Sequence, residues 1–294
     1  MTARPDVVAV LNPISGGGVA RTQWDAVAAE LARFDVASEA VESGSAADAS
    51  RLAADAAASG ALTVAVGGDG QIRDVAAGVL TVPGAPLGIA AAGRGNDFVR
   101  HLGIPTDAAA IAAMLADGRR RDVDVLTVGD RIAVGNVYVG LDSVATELIN
   151  RLRWMGPLAY RVAPVLAALR WKPAEFTITV DGSAITMPAH IVVVANSGDY
   201  GSGLNMVPSA SVDSGRIDVL AVDGGGSMLK LVSAMGEAKT GSHVSRPEVV
   251  TFSGREVTLS ADRAIPVHAD GDYVQELPVT VGIRRAVLPV VVPH

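Results

Sequence analysis

The sequence predicts an α/β N-terminal domain on a parallel sheet, residues 1–124, and a β-rich, sandwich-like C-terminal domain, residues 125–285. Three observations lead there. Apolar runs alternate with helical patterns through the first domain, the pattern of a parallel sheet with crossover helices. Beyond R-R-R-D-V-D-V, residues 119–125, turn residues separate short strand-like runs, which points to antiparallel pairing. The chain has 294 residues, 49% of them hydrophobic, enough to fill two cores.

In chain order, V-V-A-V-L-N-P (7–13) reads as a buried strand and W-D-A-V-A-A-E-L-A-R-F (24–34) as a helix. V-A-S-E-A-V (36–41) is strand-like, and A-A-D-A-S-R-L-A-A-D-A-A-A-S-G (46–60) is an alanine-rich helix closing on glycine. The strand L-T-V-A-V (62–66), a helix over about 71–80, the run P-L-G-I-A-A-A-G (86–93) and a helix with Thr106 as N-cap complete the first domain. Two helical stretches over 143–172 come next. Then follow the strand-like runs F-T-I-T-V-D-G, H-I-V-V-V-A-N, R-I-D-V-L-A-V, E-V-V-T-F, E-V-T-L-S and A-I-P-V-H-A-D-G-D, with one helical interruption near 227–240.

Composition narrows the function. A net charge of -7 argues against general nucleic-acid binding, which needs basic surface to displace counterions. The absence of cysteine removes disulfides, thiolate zinc sites and cysteine nucleophiles. His101, His190, His243, His268 and His294 show no metal-ligand spacing, and only His268 is near other candidate residues. No signal-peptide pattern and no membrane-span run is visible, so the expectation is a cytoplasmic, soluble protein.

Three glycine-bearing loops follow strands of the first domain: N-P-I-S-G-G-G (12–18), G-G-D-G (67–70) and A-G-R-G-N-D-F (92–98). Glycine admits a ligand close to backbone N–H groups, and a helix N-terminus behind it adds partial positive charge, so each loop can cradle phosphate. Asp69 within the second loop would repel phosphate alone. It therefore points to Mg2+ or to proton transfer.

In that order, N-P-x-S-G, V-G-G-D-G and P-L-G-I-A-A-A-G-R-G-N-D-F-V-R resemble the motifs of the diacylglycerol kinase catalytic family, which includes bacterial soluble lipid kinases and sphingosine kinases. The likeness continues through A-N-S-G-D-Y-G-S-G-L-N-M-V-P-S-A-S-V-D-S-G-R-I-D-V-L (195–220) and H-A-D-G-D (268–272), where the family carries D-G-E. The resemblance implies an N-terminal domain like those of NAD kinases and phosphofructokinases, to which a C-terminal strand within 286–294 returns. It also implies a substrate-binding second domain and ATP with Mg2+ in the cleft between the two.

Carried over residue by residue, the resemblance makes Asp272 and Asp69 the catalytic carboxylates. It places Asn12, Ser15, Gly16, Gly67, Gly68, Gly70, Gln71, Gly93, Arg94, Asn96 and Asp97 on the nucleotide. An outlying Mg2+ site falls at Asp213 and Ser214, where a plain turn is the competing reading. The sequence departs from the family's G-G-D-G-T-x-N-E at Gln71, Arg73 and Asp74, from G-T-G-N-D-F at Arg94, and from D-G-E at Asp272. Arg73 and Arg94 would bring cations to the phosphate site. Asp272 is one methylene shorter than the family's glutamate.

From Leu148 to Ala174 there is no acid, but there are five bases and Trp154, Tyr160 and Trp171. This stretch either meets an anionic membrane or forms helices that bury their apolar stripe on the sheet. The function these readings imply is transfer of the γ-phosphoryl of ATP to a hydroxyl of diacylglycerol or a related lipid. A kinase of a soluble hydroxyl compound and a non-catalytic nucleotide binder are the alternatives. The expected partners are that hydroxyl-bearing substrate, the inner membrane surface through 148–174, and a second copy in a homodimer.

Overall fold

The structure is a computed structural model that describes residues 5–93, 95–201, 203–226 and 228–294, except for the side chains of residues 153, 157 and 160. Arg94 lies outside the described residues, as do the side chains of Arg153 and Tyr160. The chain divides into two compact units: Met1–Val125 with Gly201–Gly203 and Arg284–His294, and Leu126–Tyr200 with Leu204–Ile283.

The first unit runs β1 (Val7–Leu11), α1 (Ala20–Leu31), β2 (Ser38–Glu42), α2 (Ala46–Ser59), β3 (Leu62–Gly67), α3 (Asp69–Val79), β4 (Leu87–Ala91), α4 (Asp97–His101) and α5 (Ala108–Asp117), and ends within β5 (Arg119–Val128). Strand β1 pairs in parallel with both β2 and β3, and β3 with β4. Strands β1 and β4 are buried along their whole length. That suits the β-branched and small residues of V-V-A-V-L and L-G-I-A-A, because helices cover both faces of a parallel sheet. Helices α2 and α3 pack closely: a Cβ on Gly78 would lie 2.0 Å from the Ser50 carbonyl oxygen and 2.8 Å from Ala53 Cβ.

Helix α2 is capped by the Ser45 hydroxyl, which accepts from Asp48 N–H, and closes on Gly60 in the left-handed conformation. Helix α5 corrects the expected cap. Asp107, not Thr106, is the N-cap, its carboxylate accepting from Ala110 N–H at 2.9 Å. Both residue types cap well, and the one with extended backbone three residues before the free N–H takes the role.

The second unit contains β6 (Arg131–Ala133), β7 (Asn136–Gly140), α6 (Leu141–Arg151), α7 (Ala159–Arg170), β8 (Ala174–Val180), β9 (Ser183–Ala195), β10 (Asp199–Tyr200), β11 (Leu204–Asn205), β12 (Ile217–Asp223), α8 (Met228–Glu237), β13 (Val249–Gly254), β14 (Glu256–Ala261), β15 (Pro266–Ala269), β16 (Asp272–Glu276) and the start of β17 (Val279–Val292). Its strands run in the order β16-β15-β7-β9-β8-β14-β17, with β12 and β13 branching from β9. Every ladder among them is antiparallel.

Alternation along the strands builds two cores. Val192 and Val194 of β9 join Val137, Val139, Val219, Phe176 and Leu259 in one of them. Ile191 and Val193 face the other way, with Tyr138, Leu220, Ala167 and Leu231, under a layer of helices. Strand β17 closes the chain: its first residues pair with β14, and Val290 pairs in parallel with Leu87 of β4.

Helix α7 rests on the second unit through small side chains. Its buried face is Ala159, Ala163 and Ala167, while Leu158, Val165 and Leu169 are 51%, 59% and 78% exposed. Val162 and Leu166, between these, are half-buried.

Candidate active site

In the first unit, β1, β3 and β4 are neighbours and parallel, so the loops leaving their carboxyl ends lie side by side. These are the three glycine loops. Ala92 N–H donates to the Gly67 carbonyl at 2.8 Å and Asn12 N–H to the Val66 carbonyl at 3.2 Å, tying each loop to the next. From α1, the Gln23 side chain donates a hydrogen bond to the Ala91 carbonyl.

The glycines serve this packing directly. A Cβ on Gly93 would lie 2.4 Å from Gly68 Cα, and one on Gly68 would lie 3.2 Å from Gly93 Cα. One on Gly67 would press on the Gln71 side chain and Ser15 Oγ. Gly16, at φ 61°, would meet the Ala92 carbonyl oxygen at 2.4 Å. Gly70 occupies the second position of α3.

Four polar side chains set the loop shapes. Asn12 Oδ1 accepts from Ile14 N–H at 3.1 Å. Asn96, at φ 52°, accepts from Gly93 N–H and donates back to the Gly93 carbonyl, at 3.1 and 3.0 Å. Asp97 accepts from Arg100 and from Gly203 N–H, both at 2.9 Å. The carboxylate of Asp69 accepts from Asp97 N–H and Phe98 N–H, each at 3.3 Å, so it caps the short helix of the next loop. Burial, and then the charge of Asp97, push the Asp69 carboxyl above its ordinary value against the pull of those N–H groups.

The polar ends of Gln71 and Arg73, expected to meet phosphate, are engaged within the first unit. Gln71 is buried, and its amide donates to the Val10 carbonyl at 3.1 Å and to Ser43 Oγ at 3.4 Å. Arg73 is 8% exposed and pairs with Asp74 at 2.7 Å. The Gln71 amide lies on the side of α3 that faces β1.

The N-termini of α1 and α3 carry no side-chain cap, since Val19 and Gly68 occupy the cap positions. Helices α2 and α5, by contrast, use Ser45 and Asp107. Uncapped first turns leave N–H donors for an anion.

In the second unit, Asp272 opens β16 and is exposed. The hairpin tip before it holds Asp270 and Gly271 at φ 49° and 91°. The Asp270 carboxylate accepts three backbone N–H groups, from Val134, Gly135 and Asn136, at 2.8, 2.9 and 3.1 Å. Behind the hairpin, His268 is fully buried, stacks on Tyr138 at 5.6 Å and meets the edge of Tyr273 at 6.0 Å. Neither of its ring nitrogens has a hydrogen-bond partner among the described residues, and burial holds its pKa below the ordinary histidine value.

Tyr138 also packs edge-on against Tyr200, whose hydroxyl donates to Asp142 Oδ2 at 2.8 Å. Burial pushes the Asp142 carboxyl up to about 7, opposed by Tyr200 and by Ser143 N–H.

The sequence reading passed over Asp142, Tyr200 and the anchoring role of Asp270. Only Asp270 carried a legible signal, the D-G dipeptide of a tight hairpin. Asp213 and Ser214 sit in an exposed turn, where Asp213 accepts from Ser211 Oγ at 2.6 Å and the Ser214 hydroxyl donates to the Arg216 carbonyl at 3.1 Å. Among the described residues no three His, Cys, Asp or Glu side chains gather as a metal site.

A parallel sheet with three adjoining glycine loops is joined in one chain to an antiparallel β-rich unit. Residues 6–128 match the model of the diacylglycerol kinase catalytic domain, and residues 135–292 match that of the YegS C-terminal NAD kinase beta sandwich-like domain. The chain belongs to the diacylglycerol kinase catalytic-domain family, and it is a phosphotransferase. It is 32% identical to a diacylglycerol kinase of Mycobacterium tuberculosis, over 98% of this chain and 95% of that one. With a Staphylococcus aureus diacylglycerol kinase it shares 26% identity, over 73% of this chain and 69% of the relative.

Among solved structures, one from Bacillus anthracis superposes with a TM-score of 0.80 at 20% identity, over 99% of both chains. Another, described as a diacylglycerol kinase of that organism, gives 0.72 at 17%, over 99% of this chain and 98% of that one. These two share the fold.

Proposed function

We propose that the enzyme transfers the γ-phosphoryl of ATP to a hydroxyl of diacylglycerol or a closely related lipid. The observation that carries this reading is the set of three interlocked glycine loops at adjacent strand ends, with the uncapped N-termini of α1 and α3 behind them. That arrangement fits the phosphates of a nucleotide. The first-turn N–H groups supply donors, and Ser15, Gly16, Gly67, Gly68 and Gly93 line the cradle.

Asp69, held by two backbone donors beside the loops, is the carboxylate that would hold Mg2+. When bound, the metal nucleotide supplies the activated phosphoryl group. Asp272 takes the proton from the acceptor hydroxyl. Its exposed carboxylate stands at the tip of a hairpin that Asp270 fixes through three hydrogen bonds. The mycobacterial and staphylococcal relatives, by their names, support diacylglycerol as the acceptor.

Purified enzyme with ATP, Mg2+ and a lipid panel should yield a phosphorylated lipid, and Asp272→Ala should lower turnover by about 100-fold or more with nucleotide affinity kept. Full activity in that variant removes the proton role from Asp272. Phosphorylation of a soluble alcohol but of no lipid would overturn the acceptor, and tight ATP binding without any product would overturn transfer altogether.

A further inference from the structure

Asn136 opens β7 and is 6% exposed. An amide taken that far from water has to find partners for its carbonyl and its N–H groups. Here the partners belong to two segments that are distant from each other in sequence. On one side, the Asn136 backbone exchanges hydrogen bonds with the hairpin tip: its N–H donates to Asp270 Oδ1 at 3.1 Å, and its carbonyl accepts from Asp270 N–H at 3.0 Å. On the other, its side chain meets residues 197–199. Asn136 Nδ2 donates to the Asp199 carbonyl at 2.8 Å, and Oδ1 accepts from Ser197 N–H at 3.4 Å.

Each segment also has an anchor of its own. The β15–β16 hairpin is held by the β15–β7 ladder. The β10–β11 hairpin is a separate two-stranded sheet, a structure that is marginal in isolation. It is pinned where the Tyr200 hydroxyl donates to Asp142, and where Tyr200 and Leu204 pack on the core that contains Tyr138 and Val207. Loss of the Asn136 amide therefore leaves both segments attached to the second unit. What it removes is the bridge that sets one against the other.

The bridge calls for an amide. It has to donate to a carbonyl and accept from an N–H across a buried gap, and asparagine carries both functions on a side chain of this length. Aspartate has the same shape but turns an acceptor toward the Asp199 carbonyl, and it adds a second carboxylate beside that of Asp270. Leucine fills a similar volume and offers neither bond. The two bridged segments are A-N-S-G-D-Y and H-A-D-G-D, and Asp272 stands two residues beyond Asp270.

We infer that Asn136 is a positioning residue of the phosphoryl transfer: it fixes the tip that carries Asp272 against residues 197–200 and so sets where the Asp272 carboxylate meets the acceptor hydroxyl. This role rests on the proton-accepting role proposed for Asp272. A misplacement of about 1 Å at such a group costs on the order of 100-fold in rate.

The test is a double-mutant cycle on the full chain, Asn136→Asp and Asn136→Leu each with and without Asp272→Ala, assayed with ATP, Mg2+ and dioleoylglycerol in detergent micelles. Each Asn136 variant should lower kcat by about 10- to 100-fold with KM for ATP unchanged. In the Asp272→Ala background the same substitutions should lower kcat no further, because the group they aim is gone. Hydrogen exchange should quicken about tenfold at 197–200 and 269–272 in both Asn136 variants, with β9 and β12 protected as in wild type. Wild-type kcat in both Asn136 variants, a loss that multiplies with that of Asp272→Ala, or unchanged exchange at both segments would overturn the inference. Full activity of Asp272→Ala alone removes the proton role itself, and the inference with it. If wild type phosphorylates no dioleoylglycerol, the proposed acceptor fails, and the exchange of the two segments still decides whether Asn136 joins them.

Discussion

A carboxyl group enclosed like that of Asp142 has to leave water to ionise in the folded chain, so its protonation is linked to folding. Its folded pKa is raised to about 7 from an ordinary 3.8, so between those values the folded state holds a proton that the unfolded state has lost. Its contribution to stability is therefore complete below about pH 4 and is lost as pH rises through about 7. The buried His190, His243 and His268 have lowered pKa values and act oppositely, weakening the fold as pH falls below about 6.5. Subtraction separates the two. Urea denaturation of wild type and Asp142→Asn between pH 4.5 and 8 (~1.4 kcal/mol per unit of pKa shift sets the scale) should show the wild type losing stability relative to the variant as pH rises. A constant difference across that range would mean that Asp142 ionises freely in the fold. None of this was legible in G-L-D-S, because Tyr200, whose hydroxyl Asp142 accepts from, lies 58 residues further along the chain. The glycines of the loops were legible as glycine positions. Their packing partners were not: Gly68 against Gly93 and Gly16 against Ala92 are contacts between loops that only the sheet order brings together.

The β15–β16 hairpin is the element on which the proposed proton-accepting role of Asp272 depends; the β15–β7 ladder holds it, and the Asp270 carboxylate fixes its tip. Hydrogen bonds to a charged acceptor contribute about 1.5–3 kcal/mol each, with part regained from water at a loop this near the surface. Asp270→Ala should therefore cost about 2–4 kcal/mol in urea denaturation and lower turnover, because the hairpin tip loses three side-chain hydrogen bonds to residues 134–136. Asp270→Asn, which keeps one acceptor oxygen, should fall between. If the alanine variant turned over at the wild-type rate, Asp270 would be a turn residue only. Elements with strong periodicity or clear punctuation, such as α2 with Ser45 and Gly60, could be read from sequence to within a residue or two. Strands β6 and β7 could not, because Gly129 and Gly135 break 126–140 into runs too short to show alternation. Helix α7 was legible as a helix but not in its orientation, since periodicity identifies an apolar stripe without saying whether the core or another surface covers it.

At the scale of the whole molecule, the alternation of strands and helices followed by runs of strands was enough to predict the class of each half, because layer architecture follows from the order of elements. How the chain distributes itself between the two units was less visible. The first unit draws on Met1–Val125, on Gly201–Gly203 and on Arg284–His294, so it is completed only by the last stretch of the sequence. That stretch is a substantial part of its core. Leu288, Val290, Val291 and Val292 are at most 5% exposed, Val290 pairs with Leu87, and Ala286 N–H donates to the buried Asp124 at 2.8 Å. Burying each of these four side chains contributes about 1.5–3 kcal/mol, together ~6–12 kcal/mol, as much as the entire stability of many domains. A chain ending at Ile283 should therefore fail to hold its first unit folded. Limited proteolysis should cut it within residues 5–125, and calorimetry should show no nucleotide binding, while the hydrogen-exchange protection of β9 and β12 persists. Wild-type nucleotide affinity in the shortened chain would mean that β4 tolerates an open edge and that β17 is an accessory to this sheet.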